Sequence, residues 1–295
     1  MRVVTTVQEM VDERSRYASS KKVGCVLTMG YLHEGHLSLV RQGRKENDIL
    51  MASIFINPTQ FGPHEDLESY PHDTPHDLRM LETLGVDVVF MPTAGEIYPP
   101  GFVTYVEPTG PLVTSAEGAS RPGHFRGVAT VVLKLFQIMQ PNLAYFGQKD
   151  AQQVAVISRM VTDFNLPVRL RILPTIREAD GLAMSSRNAY LNPEERAAAL
   201  VLYRALEAGR MVFEAHPKEG PPAVVKAMTD TVLAEPRAQL DYVDIRDPND
   251  FMQLEVLRAP ALLLIAAKVG PARLIDNFLL RADGTWDTGI PATEP

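Results

Sequence analysis

Two histidines three positions apart, His33 and His36, lie within residues 28–36, whose sequence is TMGYLHEGH. Gly30 and Gly35 in the same segment allow a ligand to approach the backbone closely. A helix that begins here presents N–H groups and the positive end of its dipole to an anion. A protonated imidazole stabilises charge on a departing pyrophosphate. The segment therefore predicts a polyphosphate site, and the alternative is a turn with ordinary polar histidines.

A second candidate for phosphate binding is the segment GQKD at residues 147–150. Gly147 allows close backbone approach, and the ammonium of Lys149 is a point charge suited to phosphate. Asp150 could accept hydrogen bonds from ribose hydroxyls or hold a magnesium ion. The spacing is not that of a P-loop, and the alternative is a helix start capped by Asp150, with Lys149 in solvent.

Hydroxyls and a cation come together at Ser185, Ser186 and Arg187, near the end of the polar segment READGLAMSSRN. Two hydroxyl donors, consecutive N–H groups and a guanidinium suit a triphosphate and the charge of its transition state. A serine nucleophile is not indicated, because no G-x-S-x-G elbow is present. The alternative interpretation is a linker between domains.

Neutral amides and an arginine are the candidates for holding a small organic acid. Asn57 and Gln60 follow an apolar run at residues 49–56 and can bind a hydroxyl-bearing substrate, although Asn-Pro also starts ordinary turns. Arg121 precedes an apolar helical pattern and could pair with a carboxylate. For Arg121 the alternative is a basic start of that helix.

A histidine- and acid-rich segment follows these amides and raises the question of a metal site. Its candidate ligands are His64, Glu65, Asp66, His72, Asp73, His76 and Asp77. Two of the histidines are four positions apart and could face one ligand on a helix. The high charge density instead favours a solvated segment.

The elements that must position these residues alternate along the first 173 residues between short apolar runs and helical patterns. The predicted strands are residues 23–28, 49–56, 86–91, 143–146 and 168–173, and the predicted helices are 35–45, 73–84, 127–139 and 151–164. Such alternation predicts βαβ units, a parallel sheet and an α/β fold. Ligands of these sheets bind beyond the carboxyl ends of the strands.

The pattern changes after residue 188. Helices are predicted at residues 193–212 and 222–233, and strands at 240–245 and 260–269, as in a smaller α+β domain. The last residues lack periodicity, which predicts a disordered tail. The expected domains are residues 1–178 and 179–282, with the tail at 283–295.

Composition limits the class of protein. The chain has 295 residues, a net charge of −7 and one cysteine, Cys25. The acidic balance argues against a general binder of nucleic-acid backbones, and a lone cysteine excludes an intramolecular disulfide and a cysteine-based zinc site. With no targeting or membrane segment in the sequence, we expect a cytoplasmic protein.

Six blocks of sequence carry a resemblance to a known family. They are TMGYLHEGHLSL, FINPTQF, HEDLESYP, RPGHFRGVATVVLKLF, FGQKDAQQ and READGLAMSSRN, in that order across residues 28–188. The chain closely resembles the pantothenate synthetases, or pantoate–β-alanine ligases. The first block is similar to a histidine signature that this family shares, in looser form, with the nucleotidyltransferase superfamily.

The resemblance implies a two-step reaction in pantothenate biosynthesis. The carboxylate of pantoate attacks the α-phosphorus of ATP, which gives pantoyl adenylate and pyrophosphate. The amine of β-alanine then attacks the acyl carbon, which gives pantothenate and AMP. The resemblance also implies Mg²⁺ with ATP, a homodimer, and a Rossmann-like domain followed by a smaller domain that closes over it.

Carried onto this sequence, the resemblance implies specific residue roles. ATP contacts are implied for Met29, Gly30, Tyr31, Leu32, His33, Glu34, Gly35, His36, Gly147, Gln148, Lys149, Asp150, Ile176, Met184, Ser185, Ser186 and Arg187. His36 would donate a proton or stabilise charge, and the other catalytic residues would be His33, Lys149, Ser185, Ser186 and Arg187. Gln60 and Gln153 would hold pantoate, with Asn57 and Arg121 near the pantoate or β-alanine. Asp150 would hold Mg²⁺.

The sequence departs from the family pattern at Leu27, His64 and His72, where the family usually has proline, asparagine and arginine. These positions flank the site, and every polar residue assigned to catalysis is present. Two other functions remain as alternatives. One is a different enzyme of the nucleotidyl-transfer superfamily, and the other is a non-catalytic nucleotide-binding module, which would not need all of these cations and hydroxyls together.

Overall fold

The computed structural model describes residues 1–63 and 65–292, which form two compact units that are interleaved along the chain. The first unit consists of Met1–Pro108, Arg121–Gly147 and Val156–Leu173, and the second of Thr109–Ser120, Gln148–Ala155 and the chain from Pro174 onward. None of the helices in the described ranges is long and apolar enough to cross a membrane.

The described residues contain twelve strands and eleven α-helices. The strands are β1 (Arg2–Val4), β2 (Val23–Thr28), β3 (Ile49–Ile54), β4 (Val88–Phe90), β5 (Leu143–Gly147), β6 (Arg169–Leu173), β7 (Ile176–Arg177), β8 (Ala238–Arg246), β9 (Ala261–Val269), β10 (Ala272–Leu280), β11 (Trp286–Asp287) and β12 (Ile290–Pro291). The helices are α1 (Val7–Ser15), α2 (Glu34–Glu46), α3 (Thr74–Thr83), α4 (Ala94–Ile97), α5 (Pro111–Thr114), α6 (Ala116–Ser120), α7 (His124–Met139), α8 (Ala151–Asp163), α9 (Pro193–Ala199), α10 (Val201–Ala215) and α11 (Pro221–Leu233).

The first unit is built on a six-stranded sheet in the order β1-β4-β3-β2-β5-β6. Every pairing in it is parallel, which confirms the predicted α/β fold and its five predicted strands. The sixth strand, β1, was not predicted, because three residues at the edge of a sheet show no usable periodicity.

The central strands of this sheet are apolar because helices cover them on both faces. Val26, Leu50, Ala52 and Val89 belong to one buried core together with Leu81 of α3. The strand order reverses between β2 and β5, and ligands of such sheets bind at the carboxyl ends of the strands beside this reversal. Segment 28–36 begins where β2 ends.

The second unit contains an antiparallel sheet in the order β11-β10-β9-β8, which confirms a smaller α+β part. Helices α10 and α11 pack on it, and Leu202, Leu206, Val224 and Met228 share a core with Leu263. The single helix predicted at residues 193–212 is two helices, with Leu200 between α9 and α10. Strand β10 was missed, although it pairs along its whole length with β9.

Two short segments from within the predicted first domain, Thr109–Ser120 and Gln148–Ala155, belong to the second unit, which differs from the predicted division into residues 1–178 and 179–282. Gln152 explains part of this arrangement, because its amide accepts from the N–H of Glu117 and donates to the carbonyls of Leu112 and Ser115. Patterns of hydrophobicity follow the order of the chain, so they do not reveal such interleaving.

The prediction of a disordered tail is wrong for the residues that the structure describes. β11 pairs with β10, and β12 pairs in parallel with β7. The N–H of Ile290 also donates to the carbonyl of Thr175 at 2.8 Å. Strands of two residues owe their order to these tertiary partners, and no local pattern predicts them. Residues 293–295 of the predicted tail lie outside the described residues.

Candidate active site

The loop after β2 turns sharply before the two histidines. Gly30 has φ +87° and Tyr31 has φ +50°, a left-handed conformation that glycine adopts without strain and tyrosine rarely adopts. The hydroxyl of Thr28 donates to the carbonyl of Ser53 at 2.8 Å and accepts from the N–H of Gly30. A Cβ at position 30 would lie 3.1 Å from Asp77 Oδ2, so the turn also depends on the absence of a side chain there.

Asp77 holds this turn from a distant point in the sequence. Its carboxylate accepts the N–H of Tyr31 at Oδ2 and the N–H of Leu32 at Oδ1, both at 2.8 Å. The residue is 1% exposed, and burial raises its pKa above the usual value although the two N–H groups work in the other direction. Because Asp77 occupies these N–H groups, Tyr31 and Leu32 cannot offer them to a phosphate in this conformation.

The role of Asp77 was missed by sequence reasoning, which grouped it with possible metal ligands. Among the described residues, no three histidine, cysteine, aspartate or glutamate side chains are arranged to hold a metal ion. Glu65 pairs with Arg121, and Asp73 caps α3 by accepting the N–H of His76. His64 lies outside the described residues. No local signal connects residue 77 with residues 31 and 32.

His33 and His36 form a capping box at the start of α2. Nδ1 of His33 accepts the N–H of Gly35 at 3.1 Å, and Nδ1 of His36 accepts the N–H of His33 at 3.4 Å. A nitrogen that accepts a hydrogen bond carries no proton, so each neutral ring has its N–H at Nε2. The ring centroids are 4.1 Å apart. The cap therefore gives two adjacent imidazoles the same tautomer.

The first turn of α2 has satisfied much of its own hydrogen-bonding capacity. The N–H groups of His36 and Leu37 both donate to the carbonyl of His33, and Glu34 forms an ion pair with Arg41. The prediction that main-chain N–H groups at this helix start bind an anion therefore does not hold for the N–H groups that are already bonded. The imidazole Nε2–H groups are additional donors of this segment.

The amide of Gln60 has a fixed orientation. Its Oε1 accepts from Asn57 Nδ2 at 3.0 Å, and its Nε2 lies 3.4 Å from the sulfur of Met29. Asn57 is 1% exposed, and its Oδ1 accepts from the hydroxyl of Tyr98 at 2.7 Å. Asn57 thus orients the amide of Gln60, and the hydroxyl of Tyr98 orients Asn57. The role of Tyr98 was not predicted from the sequence.

Arg121 also supports Gln60. Its guanidinium donates to both carboxylate oxygens of Glu65 at 2.7 and 2.5 Å, and to the carbonyl of Gln60 at 3.3 Å. Burial alone would raise the pKa of Glu65, but the guanidinium lowers it below the usual value. His124 Nδ1 lies 2.9 Å from the same Gln60 carbonyl. In this conformation the carboxylate partner of Arg121 is Glu65, not the predicted substrate.

The start of α7 packs tightly on the turn that carries Gln60. A Cβ at Gly127 would lie 2.3 Å from the carbonyl oxygen of Thr59, so only glycine permits this approach. The carbonyl of Gly127 also accepts from Asn57 Nδ2 at 3.2 Å. The family block RPGHFRG is therefore explained in part by the support that it gives to the turn at Pro58–Gln60.

The second unit contains the other predicted phosphate ligands. Lys149 and Asp150 belong to a 3₁₀ turn at Gln148–Asp150, and the Lys149 ammonium lies 3.6 Å from Asp150 Oδ1. Gln148 is buried and donates to Asn277 Oδ1 at 3.2 Å. Gln153, on the first turn of α8, is half-buried.

Ser185, Ser186 and Arg187 occupy a second turn in this unit. The hydroxyl of Ser185 caps a 3₁₀ turn at Ser186–Tyr190 by accepting the N–H of Arg187 at 3.2 Å. The N–H of Met184 donates to the carbonyl of Ile176 at 2.9 Å, so these two predicted ATP contacts are held together. The segment is an ordered turn rather than a linker.

Comparisons with known proteins agree on one family. A family model described as pantoate–β-alanine ligase matches residues 2–279. Pantothenate synthetase of Roseiflexus sp. (strain RS-1) is 55% identical over 282 residues, which are 96% of this chain and all of that protein. Pantothenate synthetase of Herpetosiphon aurantiacus is 54% identical over 281 residues, 95% of this chain and again the whole relative.

Solved structures give the same result. The crystal structure of pantothenate synthetase from Thermus thermophilus is 48% identical and matches with a TM-score of 0.88, over 94% of this chain and 98% of that one. A pantoate–β-alanine ligase from Francisella tularensis, complexed with β,γ-ATP and β-alanine, is 34% identical and matches with a TM-score of 0.76, over 95% of this chain and 97% of that one.

Proposed function

The chain belongs to the pantoate–β-alanine ligase family, and we propose how its residues carry out the ATP-dependent condensation of pantoate with β-alanine. A carboxylate does not condense with an amine at neutral pH, because its oxygen is a poor leaving group. Transfer of AMP to the carboxylate solves this problem. The enzyme then has to bind the triphosphate, place the carboxylate beside the α-phosphorus and protect the adenylate from water.

In the first step, an oxygen of the pantoate carboxylate forms a bond to the α-phosphorus while the bond to the bridging oxygen of pyrophosphate breaks. Negative charge grows on the departing pyrophosphate, and N–H donors aimed at it stabilise the transition state. In the second step, the amine of β-alanine forms the amide bond to the acyl carbon. AMP departs, and the amine loses a proton to solvent or to a nearby base.

His33 and His36 are the groups that stabilise the pyrophosphate. The observation that carries this proposal is their shared capping box, which directs both Nδ1 atoms to main-chain N–H groups and leaves the ring protons at Nε2. With its proton at Nε2, His36 is the charge stabiliser, and His33 assists it. The remaining contacts proposed for the loop are made by Met29, Gly30, Tyr31, Leu32, Glu34 and Gly35, with Tyr31 and Leu32 contributing atoms other than their N–H groups.

Lysine, arginine and serine side chains are proposed to supply cations and hydroxyls for ATP binding. Lys149 supplies charge to the phosphates, and Ser185, Ser186 and Arg187 supply hydroxyl, N–H and guanidinium donors. Gly147, Gln148, Ile176 and Met184 shape the contacts with the nucleoside. These roles agree with the two ordered turns that carry the polar groups.

Gln60 and Gln153 hold pantoate through neutral amides, which suit a hydroxy acid better than a sugar phosphate. The hydrogen bonds of Asn57 and Arg121 indicate a role other than holding the substrate. Both hold the turn of Gln60, Asn57 through its side-chain amide and Arg121 through the main-chain carbonyl. We propose that Asn57 and Arg121 position Gln60 and that Gln60 contacts the substrate.

Asp150 is the residue proposed to hold Mg²⁺. Its carboxylate is about half exposed, at 47%, and a single carboxylate shared with ATP phosphates fits the way proteins hold this ion. When bound, Mg²⁺ neutralises phosphate charge. Lys149, 3.6 Å from the same carboxylate, keeps Asp150 close to the phosphate-binding ammonium.

We propose a homodimer located in the cytoplasm. Val103 and Tyr105 are 81% and 38% exposed, and the Tyr105 ring packs on Phe102 and under the guanidinium of Arg126. Neighbouring exposed apolar side chains suit contact with a second copy. A solution mass of twice the chain mass supports this proposal, and a monomeric mass contradicts it. Cys25 is buried and unpaired, which agrees with a reducing compartment.

The test of the first step is pantoate-dependent exchange of labelled pyrophosphate into ATP without β-alanine. We expect exchange with pantoate, and little with other hydroxy acids. Exchange that prefers another acid would indicate a different nucleotidyl-transfer enzyme, and ATP binding without exchange would indicate a non-catalytic module. His36→Ala should lower the exchange rate by about 100-fold or more while the protein remains folded; an unchanged rate removes His36 from the mechanism.

A further inference from the structure

Two adjacent residues of β10, Asp276 and Asn277, are polar and almost completely buried, at 4% and 2% exposure. Neither belongs to a block that resembles the family signature. Successive side chains of a strand point to opposite faces, so such a pair can hold two different segments at once. Asn277 contacts the turn that carries Lys149, and Asp276 contacts Arg177 of β7, the strand that leads toward the Ser185–Arg187 turn.

The amide of Asn277 is devoted to the turn that carries Lys149. Its Nδ2 donates to the carbonyl oxygens of Gln148 at 3.0 Å and Lys149 at 2.9 Å, and its Oδ1 accepts from Gln148 Nε2 at 3.2 Å. Three bonds to two consecutive residues fix the orientation of that peptide. They therefore also fix the direction in which the Lys149 side chain leaves the backbone.

The carboxylate of Asp276 holds the other segment through Arg177. The guanidinium donates to both carboxylate oxygens, at 2.6 and 2.8 Å, in the bidentate geometry that suits arginine. The rings of Tyr203 and Phe278 lie 5.0 and 5.3 Å from the guanidinium. This ion pair anchors strand β7. The residues just before Ser185 fold back and form a main-chain hydrogen bond to this strand.

Main-chain bonds carry this anchoring to Ser185 and Arg187. The carbonyl of Ile176 in β7 accepts the N–H of Met184 at 2.9 Å. Ser185 follows directly and caps the turn that contains Arg187. Asp276 thus stands at one end of a continuous chain of contacts that ends at the hydroxyl and guanidinium donors.

We infer that Asp276 and Asn277 are positioning residues that set the Lys149 turn and the Ser185–Arg187 turn in register with each other for ATP. This inference rests on the ATP roles proposed for those turns. The alternative is a purely structural pair, which would affect the stability of the protein but not its preference for ATP over other substrates.

The test uses Asn277→Asp, which keeps the shape and one acceptor but turns both donors into an oxygen that faces two carbonyls. We expect the dissociation constant for ATP, measured by calorimetry, to rise about tenfold or more. The KM for ATP in pyrophosphate exchange should rise in parallel, and the KM for pantoate should change by less than about twofold. Asn277→Ser, which introduces no charge, is the second variant if the first does not fold, and it should show the same selective loss.

The matched control is Leu274→Ala on the same strand. Leu274 is 5% exposed and packs in the core of this unit. We expect a lower unfolding temperature with ATP affinity within about twofold of wild type. Equal ATP affinity in the Asn277 variants and the wild type would overturn the inference, whatever the exchange assay shows.

A double mutant identifies the route of the effect. In a Lys149→Ala background, Asn277→Asp should weaken ATP binding by a smaller factor than in the wild-type background, because one of the side chains that it positions is gone. Independent, multiplicative effects would overturn the inference. The proposed function fails by a different result, namely wild-type protein that binds ATP but shows no pantoate-dependent exchange.

Discussion

Replacement of Asp77 by asparagine tests whether the loop before the histidines is preset by a carboxylate. In the structure both oxygens of Asp77 accept main-chain N–H groups at 2.8 Å, from Tyr31 and Leu32. Asparagine has nearly the same shape, but its NH₂ group must face one of these two donors. One charge-assisted bond is lost, and one buried N–H group is left without an acceptor.

The size of the effect follows from these contacts. A hydrogen bond to a charged group contributes about 1.5–3 kcal/mol, and the turn also has two consecutive residues with positive φ, Gly30 and Tyr31. If the loss acts on the ordering of the loop, kcat/KM for pyrophosphate exchange should fall by roughly 10- to 150-fold. We expect most of the loss in kcat, because the histidines that stabilise the transition state follow this turn directly.

The matched control is Asp73→Asn. This substitution also replaces one carboxylate by an amide, at the start of α3. Asp73 caps α3 by accepting the N–H of His76, and asparagine is an equally good cap. We expect exchange activity within about twofold of wild type. If Asp77→Asn also stays within about twofold while folding normally, the loop does not depend on the carboxylate and the reasoning is refuted.

Three other substitutions probe the site and the fold. Gly127→Ala forces the Gln60 turn to move and should raise the KM for pantoate by about tenfold or more. The control is Gly95→Ala, whose Cβ would lie 4.0 Å from its nearest neighbour and which should leave this KM unchanged. Equal KM values for the two variants would contradict the proposal that Gly127 supports the Gln60 turn. His33→Asn keeps a helix cap but removes an Nε2–H. The pyrophosphate exchange rate should therefore fall by about tenfold or more, with little change in unfolding temperature. Full activity of this variant would exclude a role of His33 in the chemical step. Hydrogen bonds, chiefly from Arg171, lower the pKa of Glu46 from 4.5 to about 2, so its contribution to stability is present above pH 4.5 and is lost as the pH falls toward 2. The unfolding temperature of wild type should therefore fall more steeply over that range than that of Glu46→Gln, and parallel curves would contradict the assignment.

The parallel sheet could be predicted because its strands are buried on both faces. Residues 23–28 and 49–56 read as continuous apolar runs, and the structure places β2 and β3 there as neighbours. The helix at 193–212 was predicted with its correct start, since Asn192 and Pro193 form a recognisable cap. Its break at Leu200 was not, because alanine, leucine, glutamate and arginine on both sides favour a continuous helix.

The candidate site was predictable where its residues are contiguous. Blocks such as residues 28–36 contain both the histidines and the glycine that their turn requires. Asp77, Asn277 and Tyr98 were not predicted, because each acts across a large separation in sequence through one to three hydrogen bonds. A single sequence shows which groups could do chemistry, but it does not show which other side chains hold them in place.

The measurement that tests the central claim most directly uses pantoate labelled with ¹⁸O in both carboxylate oxygens. The enzyme is incubated with ATP and β-alanine, and the products are analysed by mass spectrometry. Attack of the carboxylate on the α-phosphorus predicts one ¹⁸O in each AMP and one in each pantothenate. Unlabelled AMP, or label that appears in orthophosphate together with ADP, would contradict the adenylate mechanism.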